Sequence, residues 1–120
     1  MTLEKLKEFV KWEVGRLDDE YKGTDKEKTL FAALKVSEEV GELAEQALCV
    51  CGYQRRVKIL ANPGLGNLSK EIADVILTAM ILAERLGIDV EESLKEKIEI
   101  VKNRTYKTPT NHESFGTHNV

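Results

Sequence analysis

The sequence predicts an all-α chain folded as a four-helix-bundle-like subunit. Apolar residues recur at three- and four-residue steps along most of its length, and Gly and Asn-Pro-Gly clusters fall between those stretches. No segment alternates apolar and polar residues as a half-buried strand would.

The first helix carries Leu3, Leu6, Val10, Val14, Leu17 and Tyr21 as a single stripe and is expected to end near Gly23. Thr24 to Glu27 reads as a polar break. A second helix is expected from about Lys28 to Val50, with Ala33, Val36, Val40, Leu43 and Ala47 on its buried side. At 100° per residue Glu38, Glu42 and Glu45 cluster opposite, and Glu39 lies at the border of the apolar stripe, where it can face a cleft. Residues 52–67 hold Gly52 and Asn62-Pro63-Gly64, preceded in the last case by Arg55, Arg56 and Lys58, and read as a loop with room for one short turn.

The third helix takes Asn67 or Ser69 as its N-cap and stops at Leu86-Gly87, since Gly suits a C-terminal cap. Its stretch from Glu71 to Ala83 is apolar almost all round, which predicts burial on every side and more cover than a lone bundle supplies. A homodimer or homotetramer is the expected source of that cover. Asp89 opens the last helix with Glu92 three positions on, a variant of the capping box, and Leu94, Ile98 and Val101 form its buried face. The expected domain is 1–106, followed by a polar tail over 107–120 that is flexible unless a partner pins it.

Composition narrows the function classes. With 120 residues and 42% hydrophobic content there is material for one core. Acidic residues outnumber basic ones 21 to 18, for a net charge of −3, so a general electrostatic grip on nucleic acid is not expected. The longest apolar run is interrupted by Asp74 and falls short of the roughly 20 residues of a membrane span, so no membrane partner is expected. The N-terminal stretch mixes charged and apolar residues from Leu3 onward, unlike a signal peptide, and a cytoplasmic location is expected. Cys49 and Cys51, two positions apart, cannot pair along a helix and lack the partners of a zinc site, so both are expected as small, reduced, packed residues.

Two acidic pairs carry the functional signal. Glu39 with Glu42, and Glu71 with Asp74, each have i, i+3 spacing, which puts both carboxylates on one helix surface. Asp74 sits among apolar neighbours and is expected to be buried, hence protonated, paired or metal-bound. If the second and third helices run antiparallel, the carboxylates converge, and each like-charge contact near 4 Å costs roughly 4 kcal/mol at an effective dielectric of about 20. Such a set needs cations. Mg²⁺, with Mn²⁺ as a substitute, suits an all-oxygen ligand set that keeps waters and meets substrate phosphates. His112 and His118 both fall in the tail, so the Glu-x-x-His signature of di-iron bundles is missing.

Glu38-Glu39-Val40-Gly41-Glu42-Leu43-Ala44-Glu45 followed by Glu71-Ile72-Ala73-Asp74-Val75 resembles the MazG-type all-α nucleoside triphosphate pyrophosphohydrolases of the MazG-like and dUTPase-dCTPase superfamily, over roughly residues 28–106. The resemblance implies Glu39, Glu42, Glu71 and Asp74 as metal ligands, and Glu38, Glu39 and Glu42 are the candidate catalytic acids. It implies hydrolysis of a (d)NTP to (d)NMP and pyrophosphate, by water attack at the α-phosphorus, in a dimer or tetramer. Glu38 and Glu45 have no settled role in that pattern. Lys97 and Arg104 match its phosphate-binding positions, whereas Val101 stands where Asn is expected and Asn103 is the nearby substitute. Trp12, Phe31 and Tyr53 are the candidates for a base slot. The related phosphoribosyl-ATP pyrophosphohydrolases share this architecture. The alternative reading is a non-catalytic helical module that binds nucleotides or a protein partner around a regulatory cation.

Overall fold

The computed structural model describes residues 1–105, so the expected tail over 107–120, with His112 and His118, lies outside the described residues. Five helices and no strand occur among them: α1 (Leu3–Glu20), α2 (Asp25–Val50), α3 (Arg56–Ala61), α4 (Gly66–Leu86) and α5 (Val90–Lys102). The all-α expectation holds, with one short helix more than expected.

Local chemistry sets the boundaries. Thr2 caps α1 by accepting the Lys5 N–H at 3.1 Å. The expected break at 24–27 is instead the start of α2: the Thr24 hydroxyl accepts the Glu27 N–H at 3.2 Å, and the Glu27 carboxylate accepts the Thr24 N–H at 3.0 Å. This reciprocal capping box satisfies two of the helix's orphan donors. At the other end Gly52 takes φ +77°, letting Tyr53 N–H reach the Leu48 carbonyl at 2.9 Å while Gly52 N–H bonds Cys49. Gly87 (φ +68°) closes α4 in the same way, with Ile88 N–H on Ala83, as expected for a Gly cap. The N-cap expected of Asn67 or Ser69 is not used. Helix α4 starts earlier, at Gly66, and Asn67 donates instead to Asn62 Oδ1 at 2.8 Å. Asp89 caps α5, accepting from Glu92 N–H at 3.2 Å.

Residues up to Ile88 form one packed unit, and α5 belongs to a second. Within the first unit α4 packs most extensively on α2 and also meets α1. Its core is Val10, Ala32, Cys49, Met80 and Ala83. Cys49 is buried and Cys51 exposed, both as free thiols, so only the first is packed as expected.

Three expectations about burial are corrected, the first being α5, whose Leu94, Ile98 and Val101 are all exposed and not a buried face. The buried line of α2 runs through Ala32 and Glu39, with Val36 and Leu43 half-buried, while Ala33 and Val40 face outward. The stripe is therefore rotated so that Glu39 lies inside it. Helix α4 is not covered on every side: Ile72 and Ile76 are exposed, the latter to 51%, because α1 and α2 shield only part of its circumference. Asp74 is accordingly half-buried, not buried.

The segment expected as a loop contains α3, held by side chains and not by its own six residues. Lys58 pairs with Glu45, Asn62 Nδ2 donates to the Lys58 carbonyl at 2.7 Å, and Gln46 donates to Asn62 Oδ1 at 3.3 Å. Asn62 thus ties the end of α2 to the start of α4.

Candidate metal centre and the adjoining cleft

Helices α2 and α4 run antiparallel, since Gln46 near the end of α2 is linked through Asn62 to Asn67 at the start of α4. That direction brings the two acidic pairs together. Glu39, Glu42 and Glu71 each present a carboxylate oxygen, all within 4.8 Å of one another.

Glu39 is the buried member, at 8% exposure, with Glu71 half-buried and Glu42 exposed. Glu39 Oε2 and Glu71 Oε2 are both shut off from solvent, and no donor among the described residues reaches either. What lies against Glu39 is another carboxylate, Glu42. Burial, then the contact and charge of Glu42, then the charge of Asp74 push the Glu39 carboxyl above its ordinary range, and Lys35 opposes them. Buried acceptors with no donor are rare and costly in folded proteins. A hard cation satisfies both oxygens and cancels the repulsion, so these residues fit Mg²⁺ or Mn²⁺.

The remaining sequence-predicted residues divide clearly. Asp74, one turn beyond Glu71, is outside the three-acid cluster but close enough to act on Glu39, and it lines the cleft next door. Glu38 is exposed and bonds Lys35 Nζ at 3.0 Å, and the same ammonium lies 3.5 Å from Glu39. Glu45 is engaged by Lys58, which holds its carboxyl below the ordinary range. Lys97 is exposed on α5, in a groove that α5 forms with Leu94, Ile98 and Val101, and Arg104 is exposed just beyond that helix.

A cleft of about 690 Å³ opens beside the acids, within the first unit. Phe31 lines it, as a base slot requires, together with Phe9, Leu77 and Ile81. Trp12 does not line it. Its ring packs on Phe9 at 5.8 Å and carries the Arg16 guanidinium at 4.7 Å. Tyr53 is 81% exposed and likewise not part of the lining. Lys28, Lys35 and Arg85 supply the cleft with positive charge that motif reasoning missed. The available signal was their register: all three share the helix faces of the acids.

The family model described as MazG-like matches residues 39–115. No curated protein and no solved structure matches the chain.

Proposed function

The chain belongs to the MazG-like family, and on that premise we propose that it is a Mg²⁺-dependent pyrophosphohydrolase that cleaves a (d)NTP to (d)NMP and pyrophosphate. The observation that carries this reading is the convergence of Glu39, Glu42 and Glu71, with two buried oxygens lacking donors, at the edge of a cleft that combines aromatic and cationic residues.

Glu39, Glu42 and Glu71, joined by Asp74, would hold the cation, which would supply charge neutralisation for the triphosphate and activation of a water. The water oxygen bonds to the α-phosphorus, the bond from that phosphorus to the bridging oxygen of the β-phosphate breaks, and pyrophosphate leaves. The water's proton passes to a carboxylate of the cluster, with Glu38 at its rim. Lys35, already between the acids and the cleft, meets the phosphates as a point charge. Phe31, Leu77 and Ile81 receive the nucleoside. Lys97 and Arg104 are proposed as further phosphate contacts, and Lys97→Met or Arg104→Met should then raise KM. A homodimer or homotetramer is proposed as the working form, supported by the apolar side that α4 leaves exposed at Ile72 and Ile76.

The deciding measurement is pyrophosphate release by purified protein with Mg²⁺ and a panel of (d)NTPs. Release from at least one is expected, and it should stop on chelation. Silence across the whole panel at high enzyme concentration overturns the proposal.

A further inference from the structure

The cleft runs from the acids to a second charged feature that the chemistry above leaves unused. At its far end Asp18 Oδ1 accepts from Arg85 Nη1 at 3.0 Å and lies 3.1 Å from Lys28 Nζ, joining α1, α2 and α4. Arg85 and Lys28 line the cleft whereas Asp18 does not. Their side chains are only 11% and 18% exposed, so neither is a free surface charge. One carboxylate oxygen occupies a single guanidinium N–H and a single ammonium proton, leaving the other donors of both groups for a ligand. Arg85 and Lys28 themselves offer only donors; the acceptors of the cleft are the carboxylates of Glu13, Glu20 and Asp74 and the hydroxyls of Tyr21 and Thr78.

Position says which part of a nucleotide would meet them. The same eleven-residue step separates Lys28 from Glu39 on α2 and Asp74 from Arg85 on α4. At a rise of 1.5 Å per residue that is about 16 Å. The outer edge of the base lies farther from the α-phosphorus than the β- and γ-phosphates do, and the long Arg85 side chain, tilted on α4 back towards the acids, shortens the rest of the span. Between the two ends lie Phe31, Leu77 and Ile81, suited to the faces of a base and sugar.

We propose that Arg85 and Lys28, positioned by Asp18, select nucleotides whose base carries a keto oxygen over those carrying an amino group at the same place. This rests on the reading of the site as a nucleotide pyrophosphohydrolase. Guanine O6 and thymine O4 are acceptors, whereas adenine N6 and cytosine N4 are donors. A keto oxygen pairs with the waiting N–H groups. An amino group sets donor against donor: both cations keep their pairing with Asp18, but their remaining N–H groups face a donor. Asp18 is a positioning residue: it holds both cations at one oxygen and keeps their mutual repulsion in check. The family match begins at Glu39, so Asp18 and Lys28 fall in the part of the chain it does not cover.

The test is calorimetric titration of the full-length protein, with Mg²⁺, using the α,β-imido analogues of dGTP, dTTP, dATP and dCTP. The keto pair should bind at least about tenfold more tightly than the amino pair. Lys28→Met and Arg85→Met should each bring that ratio towards one, with turnover at saturation changed far less than KM. Arg85→Lys, which keeps a donor, should retain more of it than Arg85→Met. Two variants on different helices protect the test should one fail to fold. Equal binding of all four analogues, or a preference unmoved by both variants, overturns the base-reading role and leaves the hydrolase proposal standing. Absence of binding by all four, with no pyrophosphate release, defeats both.

Discussion

Glu39 carries the sharpest electrostatic conflict among the described residues: a buried carboxylate facing Glu42 and Asp74, with Lys35 as partial relief. Glu39→Gln should therefore stabilise the metal-free protein, by roughly 1 kcal/mol, while removing Mg²⁺-induced stabilisation. Thermal melts with and without Mg²⁺ check this, and a wild-type melt unmoved by Mg²⁺ would contradict it. The pH dependence has two limbs of opposite sign. Because the Glu39 pKa is raised on folding, the folded state binds this proton more tightly. Metal-free stability therefore falls as pH rises from the ordinary glutamate value of about 4.3 through the folded value. Asp18 behaves conversely, its pKa lowered by hydrogen bonds from Arg85 and then Lys28. Its contribution is present above about pH 3.9, the ordinary aspartate value, and is lost as pH falls through the folded value. Denaturation midpoints against pH should show a shallower acid limb in Asp18→Asn, and saturating Mg²⁺ should flatten the Glu39 limb in the wild type.

Among the elements, α2 and α4 carry the site, and their ends are fixed by small local devices. Thr24→Ala removes one half of the capping box and should cost about 1 kcal/mol. Gly87→Ala forces a Cβ into a left-handed backbone and should cost about as much. Chemical denaturation resolves either change. These elements also show what the linear order of residues discloses. Helices α1, α4 and α5 were legible because their apolar spacing is regular and Gly87 and Asp89 punctuate it. The start of α2 was misread because Thr-x-x-Glu is polar throughout, although the same pattern is a helix-initiating signal. Six-residue α3 has too few residues to show a period, and what holds it, Lys58 on Glu45 and Asn62 between Gln46 and Asn67, comes from remote positions. The acids of the site were visible by spacing. Which of them is buried was not, since apolar sequence neighbours suggested Asp74 whereas the facing helix encloses Glu39.

Across the whole molecule, no helix among the described residues is long and apolar enough to cross a membrane, yet many large apolar side chains lie open. Leu30 and Leu34 on α2 and Ile72 and Ile76 on α4 are among them. Self-association should cover part of this surface, because large exposed apolar areas on proteins mark contact sites. Light scattering coupled to size exclusion is expected to report a mass of two or four chains, and Ile76→Glu to shift the population towards one. The interior described above has a thermodynamic corollary. Among the described residues no large side chain is completely enclosed, and two of the five core residues are alanines. In the oligomer proposed above, a chain with so thin a centre would draw part of its cohesion from its neighbours, and mass action would then enter the folding equilibrium. Dilution would then act as a denaturant, and the melting midpoint should climb with protein concentration.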